Sequence, residues 1–328
     1  MADLAPGVHY GVQMIDYLNL RALNAGTIKT LIDRCPAAAF HESPFNPTRP
    51  RYDTDASDAG SIAHAILLEG SESGCQVFSP ADYPNADGNG CATGWTNKAI
   101  RQARDEARAG GKIPILASDM GEIRALVNAA RSFIESLRET EPAIWRMFQP
   151  DGGRSEVTFV WNEGETLCKA RADRISLAHD VIVDAKFSAW SVEPAKWGRT
   201  MFASGGHYMS AAWYRRGIRA LTGVDASYLF LCGEFDAPHL HSLIGCDPAA
   251  LALGDEKIGA GLREWQKCAA ADRWPAYPNR AVYPELPPWE RAQWDERNGV
   301  DQYGIPYDLA KLWGEPKEHP FMSKKEAA

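Results

Sequence analysis

The sequence has no CxxC pair, no internal repeat, no excess of positive charge and no apolar run near the roughly 18 residues of a membrane span. Each absence removes a class of protein. The seven cysteines (Cys35, Cys75, Cys91, Cys168, Cys232, Cys246 and Cys268) are odd in number and scattered. That spacing excludes a zinc ribbon or an iron–sulfur cluster with close ligands, and gives no disulfide framework. The opening MADLAPGVHYG lacks the charged and apolar regions of a signal peptide, so a reduced, cytoplasmic protein with no membrane partner is expected. The formal net charge is −8, from 35 basic and 43 acidic side chains. This excludes a globally basic coat for nucleic acid, but not an enzyme with a local basic groove. Gly88, Gly90 and Gly94 form no phosphate loop, because no Gly-Lys-Ser/Thr follows them.

What is present is ordinary globular composition over 328 residues, 45% hydrophobic and 24% charged, which suits one large domain or two. NAGTIKTLIDRC, from Asn24, reads as a short helix ending before Pro36. His41 to Gly60 is rich in turn formers and reads as a loop. GSIAHAILLEG then reads as a compact helix capped by Ser61. TNKAIRQARDEARAGG is an exposed helix capped by Thr96 or Asn97 and stopped by Gly110 and Gly111. Ile123, Leu126, Ala130, Phe133 and Leu137 recur at helical spacing, placing an amphipathic helix from Ser118 to about Arg138.

The period then changes. SEVTFVW (155–161), TLCKARAD (166–173) and DVIVDAKF (180–187) are β-branched runs split by turns, and predict an antiparallel meander. A helix over 206–221, a buried strand in ASYLFLCGEF and a long helix opened by Asp247-Pro248 follow. RWPAYPNRAVYPELPPWE is too proline-rich for regular structure and reads as an arm, and EPKEHPFMSKKEAA reads as a frayed tail. The order predicts a single α+β domain over 1–293: a mostly helical part to 150, a mixed sheet with its helices over 151–272, the arm over 273–293, then a tail from 294.

Alternate residues of a strand share a face, so Asp184 and Lys186 point the same way. A carboxylate beside an ammonium suits phosphodiester cleavage, the acid holding a divalent cation and the amine orienting water or steadying charge. Alone, the DxK spacing is more plainly an ion pair on a solvated strand. Asp173 lies on the preceding strand, one short turn away, where it can be brought beside Asp184. Two carboxylates that close repel unless a cation separates them, and oxygen ligands suit Mg²⁺, with Mn²⁺ substituting. Asp173 could instead pair with Arg171 or Arg174. Glu156 opens the first meander strand and could reach the same cluster or remain a solvated edge residue. His64 sits on a small-residue helix near Leu67 and Leu68, where a hydrogen-bonded core histidine is the plainer reading. Tyr208, Trp213 and Tyr214 alternate with Arg215, Arg216 and Arg219, a pattern suited to tracking a DNA strand or to a solvated arginine face. From Arg171 to Arg219 eight basic side chains face four acidic ones, a basic stretch within an acidic chain.

In chain order, CPAAAF, GSIAHAILLEG, GWTNKAIRQARDEARAGG, SEVTFVW, KARADRI, VIVDAKF and MSAAWY resemble the exonuclease VIII (RecE-like) phage and bacterial nucleases of the PD-(D/E)xK superfamily. The resemblance covers most of the chain. It implies a nuclease core of a central mixed sheet flanked by helices, with an N-terminal helical elaboration. It implies that Asp173 and Asp184 bind the catalytic Mg²⁺ with the Ala185 carbonyl, that Lys186 positions the water, and that His64 and Glu156 complete a second metal position or its shell. Ser210 stands where the family carries a glutamine, with Tyr214 retained four residues on; Arg171, Arg174 and Arg215 join these as expected DNA contacts. The implied activity is a Mg²⁺-dependent double-strand DNA exonuclease, 5′ to 3′, leaving 3′ single strands for recombination. The implied partners are duplex DNA ends, a single-strand annealing recombinase and further copies of the chain in a ring. A structure-specific or single-strand endonuclease, and an inactive DNA-end-binding protein, are the alternatives.

Overall fold

A computed structural model describes residues 4–49, 55–203 and 206–297. Strand β1 (Gly7–His9) and helices α1 (Met14–Asn19), α2 (Ala25–Asp33), α3 (Pro36–Glu42) and α4 (Asp55–Glu69) come first. Strand β2 (Cys75–Phe78), helix α5 (Lys98–Ala109), strand β3 (Ile113–Leu116) and helices α6 (Ala117–Ser136) and α7 (Pro142–Met147) follow. Next come strands β4 (Gly153–Glu163), β5 (Thr166–Ser176) and β6 (Val181–Ser188), helices α8 (Pro194–Ala203) and α9 (His207–Thr222), and strands β7 (Ser227–Glu234) and β8 (His241–Gly245). Helices α10 (Pro248–Ala271) and α11 (Pro288–Arg297) end the described chain.

Local chemistry sets many of these boundaries. Asn24, Asn97 and Asp247 each sit in extended backbone and accept the N–H three residues on, capping α2, α5 and α10. Pro36 both ends α2 and starts α3: the residue before a proline avoids helical backbone, while proline itself fits the first helical position. Two expectations therefore change. His41 and Glu42 belong to α3, and α4 starts at Asp55, so Ser61 lies inside a helix rather than capping one. The short elements β1, α1, α7, α8 and β8 have too few residues to show a period.

Six strands form one sheet in the order β1-β4-β5-β6-β7-β8. All neighbours are antiparallel except β6 and β7, whose parallel pairing needs a long crossover, supplied by α8 and α9. β2 and β3 make a separate parallel pair. One face buries Val157, Phe159, Ala170, Ile182 and Phe230 beneath α2, α9 and α10. The other buries Val183 and Leu231 under α6 and α7. The approach of α9 requires glycine: a Cβ at Gly217 would lie 2.7 Å from the Trp161 ring. This is a mixed α+β architecture, a central sheet flanked by helices.

The chain divides into two compact units, residues 1–276 and 277–328. The sequence reading instead keeps 273–293 with the domain and starts a tail at 294. Within the proline-rich stretch the described backbone is irregular until α11 begins at Pro288. The expected tail, EPKEHPFMSKKEAA, lies outside the described residues.

Candidate active site

The register of the sheet builds the site. Ser155 pairs with Arg174 and Val157 with Ala172, so Glu156 faces Asp173 between them. On the other side of β5, Arg174 pairs with Val183 and Ile175 with Ile182. Continuing that register brings Asp173 opposite Asp184, and three carboxyl-bearing residues lie in one row across β4, β5 and β6. The ladder breaks along this row. Glu156 holds φ 56°, a conformation that side-chain-bearing residues adopt rarely and that recurs at functional sites. Cys168, Ala170 and Ala172 face the α9 side, yet Ile175, an odd number of residues further on, does so too. The strand changes face around Asp173.

Past the break, side chains replace ladder hydrogen bonds. Asp173 Oδ2 accepts from the Ala185 N–H at 2.8 Å, and His64 Nε2, reaching over from α4, lies 2.7 Å from the same oxygen. His64 Nδ1 lies 3.3 Å from Glu156 Oε1. Arg171 donates from Nε to the other Glu156 oxygen and from Nη1, at 2.6 Å, to the Val12 carbonyl. Lys186 Nζ lies 2.5 Å from Asp184 Oδ2 and 3.4 Å from the Ala185 carbonyl oxygen. Above this row opens a cleft of about 560 Å³ whose lining includes Met14, His64, Glu156, Ala185, Lys186 and Phe187. The Asp184 side chain is 8% exposed and lies against Lys186, which lines the cleft.

Burial and mutual charge set the protonation states. Burial raises Asp184, and although Lys186 pulls it down, the Asp173 charge adds to the rise and leaves it at about 7. Asp173 is also pushed up by burial, but the His64 charge and hydrogen bond prevail and hold it at about 2. His64 is lifted to about 10, since Asp173 and Glu156 outweigh the opposing effect of burial. Lys186 moves upward because Asp184 and Asp173 overcome its burial. Lys29 of α2 is lowered to about 8 by burial and then by Lys186. His207 is lowered to about 4 by burial, then by Lys29 and Lys186. An acidic row thus meets a cationic flank at the cleft.

The donor set fits a hard divalent cation. One ligand atom from each of His64, Glu156 and Asp173 falls within 4.8 Å of the others, and the adjoining Asp184 is a buried carboxyl whose pKa burial raises. Carboxylate oxygens and a carbonyl suit Mg²⁺ or Mn²⁺.

Residues 25–286 match the family described as "PDDEXK-like domain of unknown function (DUF3799)". The chain belongs to this PDDEXK-like family. No curated protein matches it significantly. Among solved structures, an Eubacterium rectale protein described as "Putative exonuclease" superposes with TM-score 0.53 at 11% identity, covering 86% of this chain and 98% of that one. This likeness supports the fold. The structure of SSO0001 aligns with TM-score 0.23 at 13% identity, over 61% of this chain and 85% of that one, too loosely to carry an argument.

Within this PDDEXK-like fold the residues expected to contact DNA have these protein partners. Arg174 donates to the Met147 carbonyl and to Ser155 Oγ (2.9 Å), fastening α7 to the sheet. Arg215 donates to the Ala226 carbonyl at 2.6 Å and to Asp225 at 2.7 Å. Arg216 is held by Glu163 and Asp255, and Arg219 by Asp225. Tyr208 and Trp213 are core residues. Trp213 and Tyr214 donate to the Lys169 and Arg171 carbonyls, docking α9 on β5, and Ser210 is half-buried one turn before Tyr214. Within the fold, the arginines and aromatics of α9 are engaged in packing and ion pairs. Sequence reasoning missed Lys29 and Tyr228. The Tyr228 ring packs edge-on to Tyr214, and burial raises its hydroxyl pKa well above the usual range, with Asp184 contributing. No local spacing marks either residue, because both reach the site only through packing.

Proposed function

We propose that this protein is a Mg²⁺-dependent double-strand DNA exonuclease that works 5′ to 3′ and leaves 3′ single strands for recombination. The observation carrying the proposal is the juxtaposition of Asp173, Asp184 and Lys186 on neighbouring strands, with Lys186, His64 and Glu156 lining a cleft beside them. Asp173 and Asp184, with the Ala185 carbonyl, would hold the ion, and His64 and Glu156 would complete its surroundings. The bound cation supplies positive charge for the scissile phosphate and acidifies water.

The chain's own groups account for the rest. Lys186 is upshifted, so its ammonium stays charged at neutral pH. It therefore orients the attacking water and steadies phosphate charge instead of removing a proton. His64, protonated between Asp173 and Glu156, would give up a proton to serve as a ligand. The Ala185 N–H fixes the Asp173 carboxylate. The resemblance to RecE-like nucleases extends the proposal to a ring of copies, a cytoplasmic setting and a single-strand annealing partner.

The test is incubation of purified protein with linear and covalently closed duplex in Mg²⁺ or Mn²⁺. Linear duplex should be degraded from its ends and the closed form spared. Asp184→Ala and Lys186→Ala should each lose at least about a hundredfold in rate. Full activity in either variant would eliminate the proposal.

A further inference from the structure

Among the described residues, Tyr228 carries a buried hydroxyl with no hydrogen-bond partner. The residue is 4% exposed and sits on β7. β7 runs parallel to β6, with Tyr228 beside Ile182 and Phe230 beside Asp184. Ile182, Tyr228 and Phe230 all pack in the core under α9, and alternation puts Asp184 on the same face as Ile182. Tyr228 is therefore the diagonal neighbour of Asp184. The strand spacing and the rise of two residues separate their backbones by about 8 Å, a gap that an aromatic side chain spans. The phenol ring is held edge-on against Tyr214 at 5.5 Å and Phe230 at 5.2 Å. The Tyr214 hydroxyl is already committed, donating to the Arg171 carbonyl at 2.8 Å. Burial pushes the Tyr228 pKa well above the usual tyrosine value, and the Asp184 carboxylate adds to the rise, so near neutral pH the hydroxyl stays a donor. A buried donor without a partner is costly, and Asp184 is the acceptor its surroundings supply.

We infer that Tyr228 is a positioning residue: its hydroxyl donates to the Asp184 carboxylate when that carboxylate takes a divalent cation. The inference rests on the reading of Asp173 and Asp184 as metal ligands. A ligating carboxylate that also accepts from a fixed donor keeps one orientation, and such outer partners tune metal affinity. Lys186 Nζ occupies Asp184 Oδ2 at 2.5 Å, but a carboxylate offers about four lone-pair directions, enough for the ammonium, an ion and the phenol together. The two donors divide the work. Lys186 lines the cleft, where water and phosphate would arrive, whereas Tyr228 is buried and meets neither. Packing does not require the hydroxyl, because phenylalanine would fill the same space against Tyr214 and Phe230 without burying an unmatched donor.

The experiment compares the full chain with Tyr228→Phe and with a control, Tyr208→Phe, whose hydroxyl accepts from Lys257 at 2.6 Å. Mg²⁺ and Mn²⁺ are titrated into each protein by calorimetry without DNA, and thermal melts are recorded in EDTA. Tyr228→Phe should weaken both cations about tenfold. Its Tm in EDTA should stay at or above that of the wild type, because an unmatched buried hydroxyl is removed. Tyr208→Phe should bind both cations as the wild type does. On linear duplex, Tyr228→Phe should need about tenfold more Mg²⁺ for half-maximal cleavage. Cation affinity in Tyr228→Phe equal to that of the wild type overturns the inference and leaves the nuclease reading intact. An equal loss of affinity in Tyr208→Phe also overturns it, since the effect would then be general loosening. Cation affinity that depends on Tyr228 in a protein that never cuts DNA keeps the positioning role and removes the nuclease reading. A wild type that binds neither cation removes both.

Discussion

Asp173 Oδ2 accepts the Ala185 N–H at 2.8 Å while the same oxygen meets His64 Nε2 at 2.7 Å. One carboxylate thus replaces a backbone ladder bond between β5 and β6 and ties α4 to the sheet. The β5–β6 ladder ends at Arg174 and Val183, just short of Asp173 and Asp184. The local break in β-structure is what makes a site of the row.

Asp184 gives the first prediction. Its folded-state carboxyl titrates near 7, above an unfolded aspartate. In metal-free protein the folded chain keeps a proton that the unfolded chain has lost, so stability falls as pH rises from about 4 to about 7. Added Mg²⁺ needs the ionised form, and its increase in Tm should be larger at about pH 8 than at about pH 5.5. Thermal melts with EDTA or Mg²⁺ measure this, and Asp184→Asn should abolish the Mg²⁺ effect.

His64 acts in a second pH window. Its folded pKa, about 10, lies above the unfolded value of an ordinary histidine. Its stabilising contribution is complete below about pH 6.5 and is lost as pH climbs through about 10. The groups that set it are Asp173 on β5 and Glu156 on β4, with Arg171 holding the far side of Glu156. In EDTA, His64→Gln should lower the melting temperature near neutral pH and flatten the decline between pH values of about 7 and 10. An unaltered pH profile would separate His64 from the carboxylates.

Arg174→Ala should destabilise the fold by about 2 kcal/mol, because charge-assisted bonds to the Met147 carbonyl and Ser155 are lost and buried acceptors are left unmatched. The folded fraction should bind duplex with the salt dependence of the wild type. Chemical denaturation and a binding titration distinguish this fastening role from a phosphate contact.

Gly217→Ala forces a methyl group toward Trp161, 2.7 Å away. Backbone and ring must shift, costing about 1–3 kcal/mol. Because α9 also carries Tyr214, which donates to the Arg171 carbonyl, displacement of the helix should loosen the Arg171–Glu156 pair. Urea unfolding gives the stability change, and Mg²⁺-dependent cleavage of linear duplex should fall with it.

The meander was legible because β4, β5 and β6 are dense in β-branched and small apolar residues and split by short turns, and short turns leave antiparallel pairing as the economical connection. The caps at Asn97 (offered with Thr96) and Asp247 were legible because a side-chain oxygen three residues ahead of an unpaired N–H is a local relationship. The start of α4 is not legible in the sequence: its first turn, Asp55 to Asp58, carries residues that serve turns equally well. The chemistry of the site was readable as a set of residue types, Asp173, Asp184 and Lys186, since strand alternation alone places the last two together. The roles of the arginines were not. Arg174, Arg215 and Arg216 look identical to free basic residues until their acceptors, from Met147 to Asp255, are in place.

By itself the sequence determined the elements and the chemical inventory, because propensity, capping and alternation act over a few residues. Tertiary structure decided which side chains meet. The distance from His64 to Asp173 spans 109 positions of chain but 2.7 Å of space, and only the packing of α4 against the broken row of β4, β5 and β6 closes it. The same packing took the α9 aromatics into the core, since burial depends on what the rest of the chain lays over a residue, not on the residue itself.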